Sequence, residues 1–206
     1  MNALHQLLPT VYELGRLSSV LNLPEGYFLT REQGERAYGI LRQELETVPV
    51  GSALVLSFPT PQLIDVSFAD ESVIRLGEEI VGGAFDARAI LLLGLTADSV
   101  KNLRAVIRLR ELKLALLAVE PTGRWQVVGH LEPTLRETLD LVAERHQLTA
   151  LELSTLRPMA INTASTRLKR LYDQHLVARR FEITKKGLEY IYEMWRWTSD
   201  VESPEE

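Results

Sequence analysis

Between residues 157 and 186, eight basic residues stand against two acidic ones, in a chain whose net charge is −5. At the centre of this stretch is INTASTRLKRLYDQHLV, residues 161–177. Ala164, Leu168, Leu171, Tyr172 and Leu176 fall on one side of a 3.6-residue helix. The other side carries Thr163, Thr166, Arg167, Lys169 and Arg170, with Asp173 as its only acid. Asn162 has a side chain suited to capping, because its oxygen can accept from an unpaired first-turn amide. A solvated helix usually mixes both signs of charge, so this helix is a candidate for lying against a polyanion. The chemistry it offers is recognition. Arginine and lysine neutralise phosphates and release counterions. Asn162, Thr163, Ser165 and Thr166, near the helix start, can donate to phosphate or reach base edges. Arg167 and Arg170 are expected to point outward, and either can pair bidentately with guanine.

The neighbours decide what such a helix is for. Pro133 opens a helix over LRETLDLVAERHQ, buried through Leu135, Leu139, Val142 and Ala143. LTALELSTLRP, 148–158, reads as a second helix, capped by Thr149 with Glu152 as its capping-box partner and stopped by Pro158. Met159, Ala160 and Ile161 form the turn into the basic helix. After it, LVARRFEIT, 176–184, alternates like a small β-wing of about two brief strands. Thr184 is expected to cap a final helix through KKGLEYIYEMWRW, with Leu188, Ile191, Tyr192 and Trp195 as its apolar stripe. Trp195 and Trp197 are expected to be core or dimer contacts. Arg179, Arg180, Lys185 and Lys186 are expected to touch the nucleic-acid backbone.

ALELSTLRPMAINTASTRLKRLYDQHLVARRFEITKKGLEYI resembles a winged helix-turn-helix of the MarR or ArsR kind. That resemblance implies double-stranded DNA as a partner, read by the residues from Asn162 to Lys186 named above. A homodimer is the expected state, because two-fold readers span two half-sites. Winged helices also bind proteins, so protein-only use stands as the alternative.

Upstream, strands and helices alternate. Residues 4–23 are apolar-rich, broken by Pro9, Gly15 and Pro24, and fit strand or helix. A helix over 30–48 starts at Thr30 with Gln33 completing a capping box. ALVLSF at 53–58, AILLLGL at 89–95 and LALLAVE at 114–120 read as buried strands. A helix over 66–83 is expected with Ser67 as its cap, and another from Thr96 or Asp98 to about Leu112. WQVVGHL, 125–131, follows a Pro-Thr-Gly turn as a fourth strand in a hairpin. Such alternation builds a largely parallel sheet with helices packed on it. FLTREQGERAYGIL, LVLSFPTPQLIDVSFADESVIRLGEEI and ILLLGLTADSVKNLRAVI, over roughly 28–107, resemble the STAS-like domains of a bacterial family without assigned activity. In the anti-sigma-factor antagonists of the STAS class a serine at the start of this helix is phosphorylated, and that resemblance makes Ser67 a candidate phosphorylation site. Here the D-S-S-G-type turn is replaced by Asp65-Val66-Ser67-Phe68-Ala69, and Asp70 and Glu71 would repel a phosphate. The plainer role for Ser67 is capping alone.

The fold class expected is therefore α/β plus α+β: a STAS-like domain over 1–132, a winged helix-turn-helix over 133–197 and an acidic tail over 198–206. The tight joint at Pro133 favours packed domains over swinging ones. Residues 133–197 carry eleven basic and eight acidic residues, whereas residues 1–132 carry twelve and sixteen, so the basic surface sits on an acidic carrier. There is no cysteine, which removes disulfides and thiolate chemistry and suits a reducing cytoplasm. No apolar run reaches the ~18–20 residues of a membrane span, and MNALHQLLPTVYEL lacks the order of a signal peptide. His5, His130, His146 and His175 are scattered without metal-ligand spacing. No phosphate-binding glycine loop or nucleophile elbow is present. No catalytic residue, metal or cofactor is expected. The function implied is a DNA-binding regulator whose first domain supplies dimerisation, partner or signal binding, with a protein-interaction adaptor of antagonist type as the alternative.

Overall fold

The computed structural model describes residues 8–24, 26–59, 62–185 and 187–197. The tail 198–206, Lys186 and the first seven residues, including His5, lie outside the described residues. The first part of the chain runs β1 (Thr10–Glu13), α1 (Gly15–Leu21), β2 (Tyr27–Phe28), α2 (Arg31–Thr47), β3 (Ala53–Ser57), β4 (Leu63–Ile64) and α3 (Val66–Ala69). A π-helical turn (Asp70–Ile74) carries α3 directly into α4 (Arg75–Val81). Then come β5 (Ala89–Leu93), α5 (Ala97–Leu109), β6 (Ala115–Val119) and β7 (Trp125–Gly129). The ambiguous N-terminal segment thus contains both a strand and a helix. The molecule is mixed α/β, and among the described residues no helix is long and apolar enough to cross a membrane.

Five strands form one sheet in the order β1-β3-β5-β6-β7. The first four are parallel, and β7 returns antiparallel beside β6. The order steps always in one direction. Crossovers of a single hand then place every connecting helix on the same face. Leu54, Leu56, Ile90, Leu92, Leu116 and Val128 point to that face and share a core with Leu41, Phe68, Leu76, Leu103 and Val106 from the helices. The alternate residues, Ala53, Val55, Ala89, Leu91, Ala115, Leu117 and Val127, point the other way and are also buried. Burial on both faces is why these strands read as unbroken apolar runs.

The second part of the chain covers the other face. It runs α6 (Pro133–Arg145), β8 (Gln147–Thr149), α7 (Ala150–Leu156), α8 (Ile161–Asp173), β9 (Val177–Thr184) and β10 (Gly187–Met194). Leu135, Leu139, Val142, Leu153, Leu168, Leu171, Tyr192 and Trp195 join the odd-numbered strand residues in one continuous core. Each fully buried leucine or valine contributes about 1.5–3 kcal/mol. β8, β10 and β9 make a second, antiparallel sheet in that order.

Four expectations are corrected. The final helix from Thr184 is the strand β10, paired with β9 along its whole length. Leu188, Ile191, Tyr192 and Trp195 fit a helical stripe. The stronger signal is the aromatic alternation Tyr190-Ile191-Tyr192, in a strand whose first residue, Gly187, pairs with Thr184 of β9. The wing is accordingly longer than two brief strands. Ser67 is not the cap of its helix: Asp65 accepts from the Phe68 amide at 2.7 Å, and Ser67 lies half-buried in the first turn. Asn162 is not the cap of α8 either, because the helix already begins at Ile161 and Ala160 occupies the cap position. Thr96, rather than Asp98, caps α5.

One glycine holds the joint between the two parts. Gly129 ends β7 at φ +115°, and a Cβ there would stand 2.1 Å from the Leu114 carbonyl oxygen. That carbonyl accepts from the His130 amide at 2.9 Å, which fixes the direction of the chain into α6. Gly129→Ala is expected to cost roughly 3 kcal/mol through strain and overpacking, lowering the melting temperature by about 6–12 °C. Gly39→Ala, on an exposed turn of α2 with nothing within 4 Å of the added methyl, is expected to raise it slightly. Circular-dichroism melts of both variants check the contrast in sign.

Candidate nucleic-acid interface

The exposed surface of α8 is built by what its buried side is fastened to. Ala164, Leu168 and Leu171 are fully buried in the second core. α7 precedes α8 after a short turn, and its start is fixed by reciprocal capping between Thr149 and Glu152. With one side locked, Asn162, Thr163, Ser165, Thr166, Lys169 and Arg170 are exposed together, and Arg167 is half-exposed beside them. Thr166 donates its hydroxyl to the Asn162 carbonyl at 2.8 Å. Arg167 makes no ion pair among the described residues.

Most of the other cations already have partners within the protein. Lys169 pairs with Asp173 one turn on. Arg170, expected to point outward, grips Glu132 with both terminal guanidinium nitrogens, one at 2.9 Å. The same guanidinium holds the Glu132 carboxyl below the usual carboxylate range. Arg179 and Arg180 sit on opposite faces of the β9–β10 hairpin, since strand neighbours alternate. Arg179 stacks over the rings of Tyr172 at 3.9 Å and Tyr190 at 4.5 Å. Arg180 is tied to Glu193 and Glu182 and donates to the Gln147 side chain at 3.1 Å. Lys185 is exposed in the hairpin turn, and Lys186 lies outside the described residues.

Two features of this surface escape sequence reasoning. Arg157 is exposed at the end of α7, just before the turn into α8, and makes no ion pair among the described residues. Its place beside Pro158 was the available signal. The hairpin also exposes an apolar strip on one face: Phe181 and Tyr190 are cross-strand partners, as are Ile183 and Leu188. They are 51%, 41%, 85% and 55% exposed, too open to belong to a core. Helical periodicity had assigned Leu188 to a buried stripe, and only the strand register places these four together.

The turn after α8 docks on the first sheet. His175 takes a left-handed conformation at φ +56°, and its carbonyl accepts from the Trp195 indole at 2.9 Å. Gln174, His175 and Leu176 line a narrow crevice with Gly77, Ile80, Ile90 and Ala115. Among the described residues no group of three or more histidine, aspartate or glutamate side chains is placed to hold a metal ion. No protein-family model matches this sequence, and comparison with the curated proteins returned no match.

Burial pushes the His175 imidazole below its ordinary value, with the Arg88 carbonyl and Asp173 pulling weakly the other way. Above the ordinary value of ~6.5 both the folded and the unfolded chain carry this ring neutral. As the pH falls the unfolded chain takes up the proton first, so stability is lost from there down through the lower folded value. Between about pH 7.5 and 5.5 the wild type is expected to lose more melting temperature than His175→Asn, which lacks the titrating ring. Asparagine tolerates the left-handed backbone at this position. Scanning calorimetry at the two pH values checks it.

Proposed function

We propose that the chain is a DNA-binding regulatory protein, acting as a transcriptional regulator through α8. The observation that carries this reading is the free polar face of that helix: Asn162, Thr163, Ser165, Thr166 and Arg167 stand exposed while its apolar face is locked into the core. The order helix, strand, helix, helix, strand, strand over residues 133–194 supports a winged helix-turn-helix, with α7 crossing the backbone, α8 in the major groove and the β9–β10 hairpin as the wing. The α/β part over residues 1–132 is the STAS-like carrier, and a homodimer presents two copies of α8 to two half-sites. The ion pairs of Lys169 and Arg170 do not oppose this reading. Exposed pairs are weak in water and screened by salt, whereas phosphate contacts gain from counterion release at each cation.

A second reading has its own observation. The exposed strip of Phe181, Ile183, Leu188 and Tyr190 suits a protein partner better than a phosphate backbone, as in an interaction adaptor.

Fluorescence anisotropy with random duplex DNA at about 50 and 200 mM salt separates the two. Binding that weakens steeply with salt supports DNA reading, and no binding at the lower salt rejects it. Arg167→Glu is expected to weaken binding by about tenfold or more without changing the melting temperature. Glu132→Gln, which releases Arg170 and removes a nearby acid, is expected to strengthen binding about two- to fivefold.

A further inference from the structure

The basic residues of the first part of the chain are outnumbered by acids, yet several of them converge on one concavity. A groove of about 640 Å³ runs between the outer side of α5 and the segments that open β6 and close β7. Lys101, Arg104 and Arg108 approach it at offsets of three and four along one face of α5. Lys113 and His130 approach from the strand side, and Glu111 is the only acid in the lining. Its floor is apolar, with Ala105, Ile107, Leu112 and the bare Cα of Gly129. Since a Cβ on Gly129 would meet the Ile107 side chain at 3.0 Å as well as the Leu114 carbonyl, the backbone fixes that wall.

A solvated helix face explains three cations on α5. It does not explain Lys113 and His130, which come from other segments and close the same space. These charges are only partly opposed: Glu132, at the start of α6, acts electrostatically on His130 and Lys113, but its carboxylate is already held by Arg170. Arg104 is held by neutral acceptors, donating to the Gln126 side chain at 2.8 Å and to the Val127 carbonyl at 3.2 Å. Arg108 and Lys113 make no ion pair among the described residues. Only Lys101 is paired, with Asp98 at 2.8 Å. The volume lies within the range of about 300–1,000 Å³ of small-molecule sites.

We propose that this groove binds a small organic phosphate ester, its flat apolar body on Ile107, Leu112 and Gly129 and its dianion between Arg108, Lys113 and His130. Arginine and lysine supply charge-assisted hydrogen bonds to such a group. The apolar floor makes the ester a better ligand than the bare anion. The groove contains no residue of α8 and the proposal does not rest on the DNA reading, although Glu132, which Arg170 of α8 holds, also acts on His130 and Lys113.

The test is isothermal titration calorimetry of the full chain with 1-naphthyl phosphate, 1-naphthol and inorganic phosphate. The ester is expected to bind, and the alcohol and the bare anion to bind at least about tenfold more weakly. Arg108→Glu/Lys113→Glu is expected to weaken the ester by about tenfold or more. Both side chains are exposed, so its melting temperature should match the wild type. Arg36→Glu, an exposed charge reversal on α2, is expected to leave binding unchanged. No heat from the ester at about 1 mM overturns the proposal, as does equal binding by the double variant. Equal binding of the alcohol overturns the role of the charges. Loss of duplex-DNA affinity in the double variant, with ester binding retained, overturns it too and assigns the groove to a nucleic-acid path.

Discussion

A parallel sheet built by stepping in one direction has its helices on one side and nothing of its own to put on the other. Ala53, Val55, Leu91, Leu117 and Val127 form that second face, and leaving it in water would forfeit the burial that stabilises apolar side chains. The chain solves this with its own continuation. Residues after Pro133 fold over the bare face, and their leucines and aromatics merge with the strand residues into one core. The sheet therefore determines where α6 to α8 lie, and the surface that α8 presents follows from it.

The fastening of α8 is redundant and mostly long-range. Leu168 and Leu171 anchor its middle, the Arg170–Glu132 pair ties its outer edge to the joint, and the His175 turn seats its end against α4 and the opening residues of β5 and β6. A helix held in this way meets a rigid ligand without first paying orientational entropy. The exposed polar residues at its start are free because every other side is occupied.

Charge is partitioned with the same logic. In the first part of the chain acids and bases pair around the π-helical turn, where Arg110 meets Asp70 at 2.7 Å and Glu78 at 2.9 Å. Gly34 lets α2 cross that helix closely, since a Cβ there would stand 2.9 Å from the Phe68 carbonyl oxygen. Among the cations without an ion pair among the described residues are Arg157 and Arg167 around α8, and Arg108 and Lys113 in the groove beside α5. On a molecule of net negative charge, such local patches make the surface potential uneven.

Local physics was legible in the sequence. Thr30 with Gln33 and Thr149 with Glu152 place two helix starts, because a capping box needs only residues three apart. The apolar runs place β3, β5 and β6, and the stripe of Ala164, Leu168 and Leu171 gives α8 its buried side. What the sequence could not show depended on partners far along the chain. Residues 187–194 satisfy a helical stripe and a strand alternation alike, and pairing with β8 and β9 decides between them. Glu132 is 38 residues from the arginine it holds. The cations of α5 become a groove only when the hairpin brings His130 beside Leu114. Periodicity and capping report on neighbours within one or two turns, whereas ion pairs, sheet register and concavity are made by segments that meet only in the folded chain.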